Sequence, residues 1–67
     1  MIVFDPLWKT MKKNNVTIYA LIEKYKISRG QISRLKNNHN VTINTIDMLC
    51  KILNCRVQDI IEYVEHE

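Results

Sequence analysis

The periodic spacing of apolar residues between positions 17 and 36 restricts the fold more than any other feature of this 67-residue chain. Four apolar residues recur at three- and four-residue intervals, the spacing of one face of an α-helix: Ile18, Leu21, Ile22 and Tyr25. Thr17 stands just before them and is a residue type that caps helix N-termini. The pattern predicts an amphipathic helix that begins after Thr17.

A second helix is predicted after a connection of only about three residues. Ser28, followed three residues later by Gln31, matches the capping box, in which the two side chains satisfy free N–H groups at the start of a helix. Ile32 and Leu35 would be its buried residues. Positions 37 and 38 are asparagines, which tolerate turn geometry, so the helix is expected to span about 28–37.

Three further helices are predicted around this pair. Asp5 and Pro6 suit the N-cap and first residue of a helix that ends near Lys13. Thr42 caps another, which Asn54 closes in the left-handed conformation and whose inward residues would be Ile43, Ile46, Leu49, Cys50 and Leu53. A short fifth helix is predicted from Val57, Ile60, Ile61 and Val64. With connections of about 2–6 residues, residues 1–67 are expected to form one compact all-α domain.

Composition excludes several other classes. One glycine and one proline argue against a turn-rich all-β fold and against disorder. The opening MIVF is far too short for a signal peptide, and the chain has no apolar run of about 18 residues, so we expect a cytoplasmic protein without a membrane segment.

Chemistry at a metal or catalytic centre is not predicted. A structural zinc site needs four ligands, and Cys50 and Cys55 could be completed only by the distant His39 and His66, so the two cysteines are interpreted as free thiols. No serine, cysteine or carboxylate pair comes with a catalytic partner at plausible spacing. We therefore expect no enzyme, no metal, no cofactor and no small-molecule ligand.

Charge is distributed unevenly along the chain. The segment 26–40 carries four cationic residues and no acid, whereas the segment 41–67 carries two cationic and five acidic residues. Clustered Lys and Arg release counterions when they meet phosphates, so the middle segment suggests a polyanionic partner. A solvated helix face would explain the same charges, and charge alone leaves both interpretations open.

The arrangement of helix, short turn and helix over residues 17–36 is that of a helix-turn-helix unit, whose second helix enters the DNA major groove. The stretch TIYALIEKYKISRGQISRLKNN, followed by VTINTIDMLCKILNCRVQDII, resembles the Cro and lambda-repressor-like (Xre-like) transcriptional regulators. The resemblance runs from about Leu7 to Val64, and the ends PLWK and NC…DIIEYV resemble a small single-domain subgroup. It implies a five-helix lambda-repressor-like fold and double-stranded DNA as the partner.

The resemblance also implies which residues face DNA. Base edges would be contacted from the recognition helix by Arg29, Gly30, Gln31 and Arg34. Phosphates would be held by residues at the two helix starts and around the end of the recognition helix: Thr17, Ser28, Ser33, Lys36, Asn37, Asn38 and His39. Two departures from the family pattern are Lys26, where the turn usually has Gly, and Ile22, where Ala usually faces the recognition helix.

The chemistry of these residues agrees with the resemblance. Arg29 and Arg34 diverge by about 140° around a helix, so they would straddle its groove-facing ridge rather than both point into the groove. Arginine can donate two hydrogen bonds to guanine O6 and N7. Gly30 would let the helix backbone approach DNA closely because it lacks a Cβ. Gln31 has two open roles, as the capping-box partner of Ser28 or as a base reader.

The sequence predicts a sequence-specific DNA-binding regulator that occupies a short operator, most plausibly as a homodimer. Ile2 to Phe4 and the pair Tyr63 and Val64 are β-branched or aromatic, so they could form short strands that tie the termini together or join two chains. Two alternatives stay open. The same fold could serve as a protein-interaction module, an antitoxin-like or anti-repressor partner, and the basic segment could bind nucleic acid nonspecifically or bind RNA.

Overall fold

Four α-helices, one 3-10 turn and two short strands make up residues 1–65, the part of the chain that the structure, a computed structural model, describes. In chain order these are β1 (Ile2–Val3), α1 (Asp5–Lys13), α2 (Ile18–Glu23), α3 (Arg29–Lys36), α4 (Ile43–Leu53), the 3-10 turn (Val57–Asp59) and β2 (Glu62–Tyr63). The mostly helical fold is as predicted, with one helix fewer among these residues. No helix within them is both long and apolar enough to cross a membrane.

The predicted fifth helix is wrong. Only Val57–Asp59 turn, as a 3-10 helix in which the Asp59 carboxylate accepts from the Arg56 N–H at 3.0 Å. Ile60 then enters the core and the chain extends into β2. Val57, one of the four residues whose spacing predicted this helix, is exposed. The apolar spacing at 57–64 is compatible with a helix, but residues 62 and 63 pair with β1 and are therefore extended.

The two termini form an antiparallel ribbon. Ile2 pairs with Tyr63 and Val3 pairs with Glu62, and the Val64 N–H extends the pairing to the Met1 carbonyl at 2.8 Å. The predicted terminal strands therefore form within one chain. The ribbon presents Ile2 and Tyr63 to solvent while Val3 turns inward.

The core lies where the helices and the residue after the 3-10 turn converge. Each contributes one fully buried aliphatic side chain, and together these are Leu7, Leu21, Leu35, Leu49 and Ile60. Two hydrogen bonds fasten α1 to the C-terminal part of the chain: Thr10 Oγ1 donates to the Asp59 carbonyl at 2.8 Å and Asn14 Nδ2 donates to the Leu53 carbonyl at 3.0 Å. The helix pair 18–36 is thus carried on a scaffold of α1 and α4.

Three details of the sequence interpretation need correction. Phe4, not Asp5, occupies the N-cap position of α1, and its side chain makes no capping bond; Asp5 is the first helical residue. Tyr25 lies beyond the end of α2, although it still packs against the core. Ile43 was predicted to be buried and is 82% exposed, because it is the first residue of α4 and projects past the end of the core.

Each helix is followed by a residue with positive φ, the left-handed region that L-residues other than asparagine seldom adopt. The four residues, with φ between 49° and 63°, are Asn15, Lys26, Asn38 and Asn54. The expected asparagine turns and the left-handed closure at Asn54 are confirmed. None of the four positions uses the single glycine of the chain.

Candidate nucleic-acid interface

The α2–turn–α3 unit has a capped helix at each start. Thr17 Oγ1 accepts from the Ala20 N–H at 3.0 Å, and Ser28 Oγ accepts from the Gln31 N–H at 3.2 Å. Between the helices the chain turns through Lys26, and the buried Ile27 donates its N–H to the Leu21 carbonyl at 2.9 Å. These local bonds fix where α3 begins, as the sequence predicted.

One face of α3 is an exposed ridge. Ile32 and Leu35 are buried, and at about 100° per residue the opposite side of the helix is formed by four exposed residues: Gly30, Ser33, Arg34 and Asn37. Gly30 lies near the middle of this ridge. Lys36 and Arg29 are also exposed but lie to one side of it.

A concavity runs along each side of the ridge. On the α2 side a space of about 260 Å³ is lined by Ile18, Ile22, Arg29, Ile32, Ser33 and Lys36. On the α4 side a space of about 300 Å³ is lined by Gln31, Arg34, Asn40, Val41, Thr42 and Thr45. Arg34 therefore lies at the α4 edge of the ridge and Arg29 lies beside its α2 edge, as their angular separation predicted.

No acidic side chain among residues 1–65 forms an ion pair with the cations on this surface. Within residues 1–65 the only ion pair joins Lys51 to Asp47 on α4, at 3.0 Å. Arg29, Arg34 and Lys36 are exposed and form no such pair. Their full charge is available to an anionic partner such as the phosphates of a nucleic acid.

The end of α3 is closed by backbone bonds rather than by a charged side chain. Asn38 takes the left-handed conformation, its N–H donates to the Leu35 carbonyl at 3.3 Å, and the His39 N–H donates to the Arg34 carbonyl at 2.8 Å. Asn37 Nδ2 donates to the Ser33 carbonyl at 2.9 Å. This motif leaves Asn37 and His39 exposed at the edge of the ridge.

Comparison with known proteins agrees with this geometry. The sequence model of the Cro/C1-type HTH DNA-binding domain matches residues 6–66. The chain belongs to this family. The crystal structure of the transcriptional regulator VanUg, form II, is similar with a TM-score of 0.88 and 28% identity, covering 97% of this chain and 87% of that chain. Comparison with curated protein sequences found no match. These matches confirm the resemblance to Xre-like regulators. The chain is therefore a DNA-binding domain of a transcriptional regulator.

Within this Cro/C1-type domain the glycine of α3 is not required by the fold. Gly30 does not have a positive φ. A Cβ built at Gly30 would meet only Ser28 Oγ, at 3.9 Å, which is an ordinary van der Waals contact. Neither backbone conformation nor packing in the isolated domain therefore selects glycine at this position.

The side chain of Gln31 does not complete the predicted capping box. Its Oε1 accepts a hydrogen bond from Thr45 Oγ1 at 2.7 Å, so the carboxamide points toward α4 instead of back to Ser28. Thr45 is 3% exposed and was not anticipated. The available signal was that Thr45 is a polar residue beside the apolar face of α4, where a buried hydroxyl needs a hydrogen-bond partner. Nothing in the sequence identified Gln31 as that partner.

Asn38, predicted as a phosphate contact, has a structural role as well. It is half-buried, and its Oδ1 accepts from the Phe4 N–H at 2.9 Å, which ties the end of α3 to the N-terminal segment. The other predicted phosphate-contacting residues are exposed: Thr17, Ser28, Ser33, Lys36, Asn37 and His39. Sequence reasoning missed Asn40 and Thr42, which line the concavity beside Arg34.

The two cysteines lie away from the ridge, at the end of α4. Both are free and half-buried, and the Cys55 N–H donates to the Cys50 carbonyl at 3.1 Å. Burial, and then the neighbouring Cys50 and Asp59, raise the pKa of the Cys55 thiol. No group of three metal-binding side chains occurs within residues 1–65. His66, considered as a zinc ligand from sequence, lies outside the described residues.

Proposed function

We propose that this protein is a sequence-specific transcriptional regulator that places α3 in the major groove of a short DNA operator. The observation that carries the proposal is the exposed ridge centred on Gly30, with Arg34 on it and Arg29 beside it, neither of them in an ion pair within residues 1–65. A helix of this kind fits the width of the major groove, and arginine recognises guanine edges with two donors. Regulation would follow from occupancy of the operator.

Arg29, Gly30, Gln31 and Arg34 are the proposed base-contacting residues. Arg34 lies on the ridge itself, so it is the stronger candidate for a guanine contact, whereas Arg29 lies nearer to α2 and is closer to a phosphate position. Phosphate contacts are assigned to Thr17, Ser28, Ser33, Lys36, Asn37, Asn38 and His39. Their hydroxyl, amide and charged groups surround the ridge, where the two DNA strands would pass.

Selection of bound sequences from a random pool of duplexes tests the proposal. The enriched duplex should bind at least about 10³-fold more tightly than a scrambled duplex of the same length at physiological salt. Affinity should also fall steeply as salt rises, because counterions are released from several phosphates. Equal affinity for the selected and scrambled duplexes, or a preference for RNA of the same sequence, would exclude operator recognition.

We also propose that the operator is bound by a homodimer, which would present two copies of α3 about 34 Å apart to a palindrome. Support comes from three exposed apolar side chains near the ribbon: Ile2, Ile43 and Tyr63. The two-stranded ribbon also leaves an unpaired edge on each strand. Sedimentation velocity with and without the selected duplex should show two protein chains per duplex. A single chain at all concentrations would refute the dimer.

The same exposed apolar side chains support a second candidate function, in which the domain binds another protein as an antitoxin-like or anti-repressor partner. DNA recognition requires the exposed ridge of α3, whereas binding of another protein through the apolar side chains does not. Co-purification of a stoichiometric partner protein, together with no preference among duplexes, would favour the second.

A further inference from the structure

We propose that Thr45 is a positioning residue that holds the Gln31 carboxamide with its N–H groups toward DNA, where they donate to hydrogen-bond acceptors of the duplex beside Arg34. The inference rests on the proposed function, and it gives the α4 flank of α3 a defined chemical preference. The acceptors are those of base edges in the major groove, namely guanine O6 and N7, adenine N7 and thymine O4, or the oxygens of a phosphate.

The first step is the bond between the two residues. A threonine hydroxyl carries one proton, and Thr45 Oγ1 donates its proton to Gln31 Oε1 at 2.7 Å. Thr45 is buried, so water does not compete for this proton. The oxygen of the carboxamide is therefore held toward α4.

The hydroxyl of Thr42 extends this bond into a chain of three side chains. Thr42 and Thr45 hydroxyls lie 3.2 Å apart, and since the Thr45 proton is already used, Thr42 must donate in that pair. Thr42 Oγ1 in turn accepts from the Thr45 N–H at 3.2 Å as the N-cap of α4. With the Thr45 proton donated to Gln31 Oε1, the hydrogen bonds run in one direction from Thr42 through Thr45 to Gln31.

The other end of the carboxamide faces the concavity. Gln31 Nε2 forms no hydrogen bond within residues 1–65. Every buried side-chain nitrogen or oxygen in this part of the chain has a hydrogen-bond partner, so Nε2 is not a buried atom. The amide nitrogen is therefore accessible to solvent in the space that Gln31 shares with Arg34 and Asn40. Arg34 also carries only donors, so the two side chains together present a surface that favours acceptors and disfavours amino groups of adenine or cytosine.

The matched variants Thr45→Val and Thr45→Ser separate this role from packing. Valine has nearly the shape of threonine without the hydroxyl, and serine keeps the hydroxyl. In the free protein, ¹⁵N relaxation of the Gln31 side-chain amide should report an ordered group in wild type and Thr45→Ser and a disordered group in Thr45→Val. Affinity for the selected duplex should fall about tenfold in Thr45→Val and little in Thr45→Ser.

Binding of Thr45→Val to all single-base variants of the selected duplex identifies the acceptor. A preference lost at one base pair assigns Gln31 to the acceptor of that base edge, whereas the same fractional loss for every duplex assigns it to a phosphate. Either result supports the donor role. Equal amide order and equal affinity in the Val and Ser variants would overturn it.

Gln31→Glu gives an independent test should Thr45→Val fail to fold. Glutamate can still accept from Thr45 but replaces the outward donors with an acceptor, and a negative charge in the first turn of α3 favours the helix. Affinity should fall at least tenfold with the melting temperature retained, and unchanged affinity overturns the inference. If wild type itself prefers no duplex, the proposed function fails and the DNA part of this inference with it, while the amide relaxation still decides whether Thr45 orients Gln31.

Discussion

The α2–α3 half of the domain and the α1–α4 half differ in two backbone positions, although α3, like α1 and α4, ends in a left-handed asparagine, Asn38. At the ends of α1 and α4 the left-handed residues are Asn15 and Asn54, a residue type that tolerates this conformation. At the end of α2 the same conformation falls on Lys26, where a non-glycine side chain is strained, and the single glycine lies instead inside α3 at position 30. Both choices reduce stability, and both lie in the half that carries the proposed DNA surface. The α1–α4 half has neither a left-handed lysine nor a glycine within a helix.

The largest expected effect is a loss of folding stability from a substitution in the α1–α4 half. Leu49→Ala removes a fully buried side chain from α4 and should lower the free energy of unfolding by about 2–5 kcal/mol, because it leaves a cavity in the shared core. Urea denaturation monitored by circular dichroism measures this change. Ile43→Ala on the same helix is the control and should change the unfolding free energy by less than about 0.5 kcal/mol, since Ile43 is exposed. Similar losses for both would mean that Ile43 is covered in solution.

The next effect concerns the recognition half. Arg34→Ala should weaken binding to the selected duplex by about 1–3 kcal/mol if Arg34 reads a guanine, measured by fluorescence anisotropy at fixed salt. Lys9→Ala removes the same charge from an exposed position on α1 and serves as the control. Should Arg34→Ala weaken the selected and scrambled duplexes equally, Arg34 contacts a phosphate instead.

The strain at Lys26 can be tested without DNA. Lys26→Gly should raise the free energy of unfolding by about 1 kcal/mol, because relief of the left-handed conformation exceeds the extra entropy of glycine in the unfolded chain. Asn54→Gly starts from a tolerant residue at the same conformation and should change stability less. Lys26→Ala controls for the lost charge and should not stabilise. A loss of stability in Lys26→Gly would show that the lysine side chain contributes more than its backbone costs.

The smallest stability effect is expected at Gly30, and it sharpens the comparison most. Gly30→Ala should raise the free energy of unfolding by about 0.5 kcal/mol, since helix propensity improves and the added Cβ meets only Ser28 Oγ. The same methyl group would meet a base edge or sugar, so operator affinity should fall. Thermal melts and operator titrations on this variant measure the two changes. Higher stability with unchanged affinity would make the glycine incidental.

Local signals predicted most of the helix-turn-helix unit. The caps Thr17 and Ser28 and the turn-forming Asn38 act on neighbouring backbone, so their effect can be predicted from a few adjacent residues. The flanking positions of Arg29 and Arg34 followed from helix geometry alone. These features required no knowledge of the rest of the fold.

Three of the features that sequence reasoning missed depend on residues far apart in the chain. The apolar spacing at 57–64 suits a helix equally well, and only pairing with β1 makes residues 62 and 63 extended. Gln31 bonds to Thr45 fourteen positions away, which outcompetes the nearby Ser28 for its side chain. The exposure of Ile43 depends on where the core ends, and periodicity on one helix does not contain that information.

The terminal ribbon has a consequence for the order in which a newly made chain can fold. Ile2 pairs with Tyr63, so β1 has no partner until residue 63 has left the ribosome. The contacts within α2 and α3 span few residues and can form at once, whereas closing a loop of about 60 residues costs entropy that only a preformed helical core can offset. β1 is therefore expected to be among the last elements to reach its native position, although it precedes all four helices in the sequence.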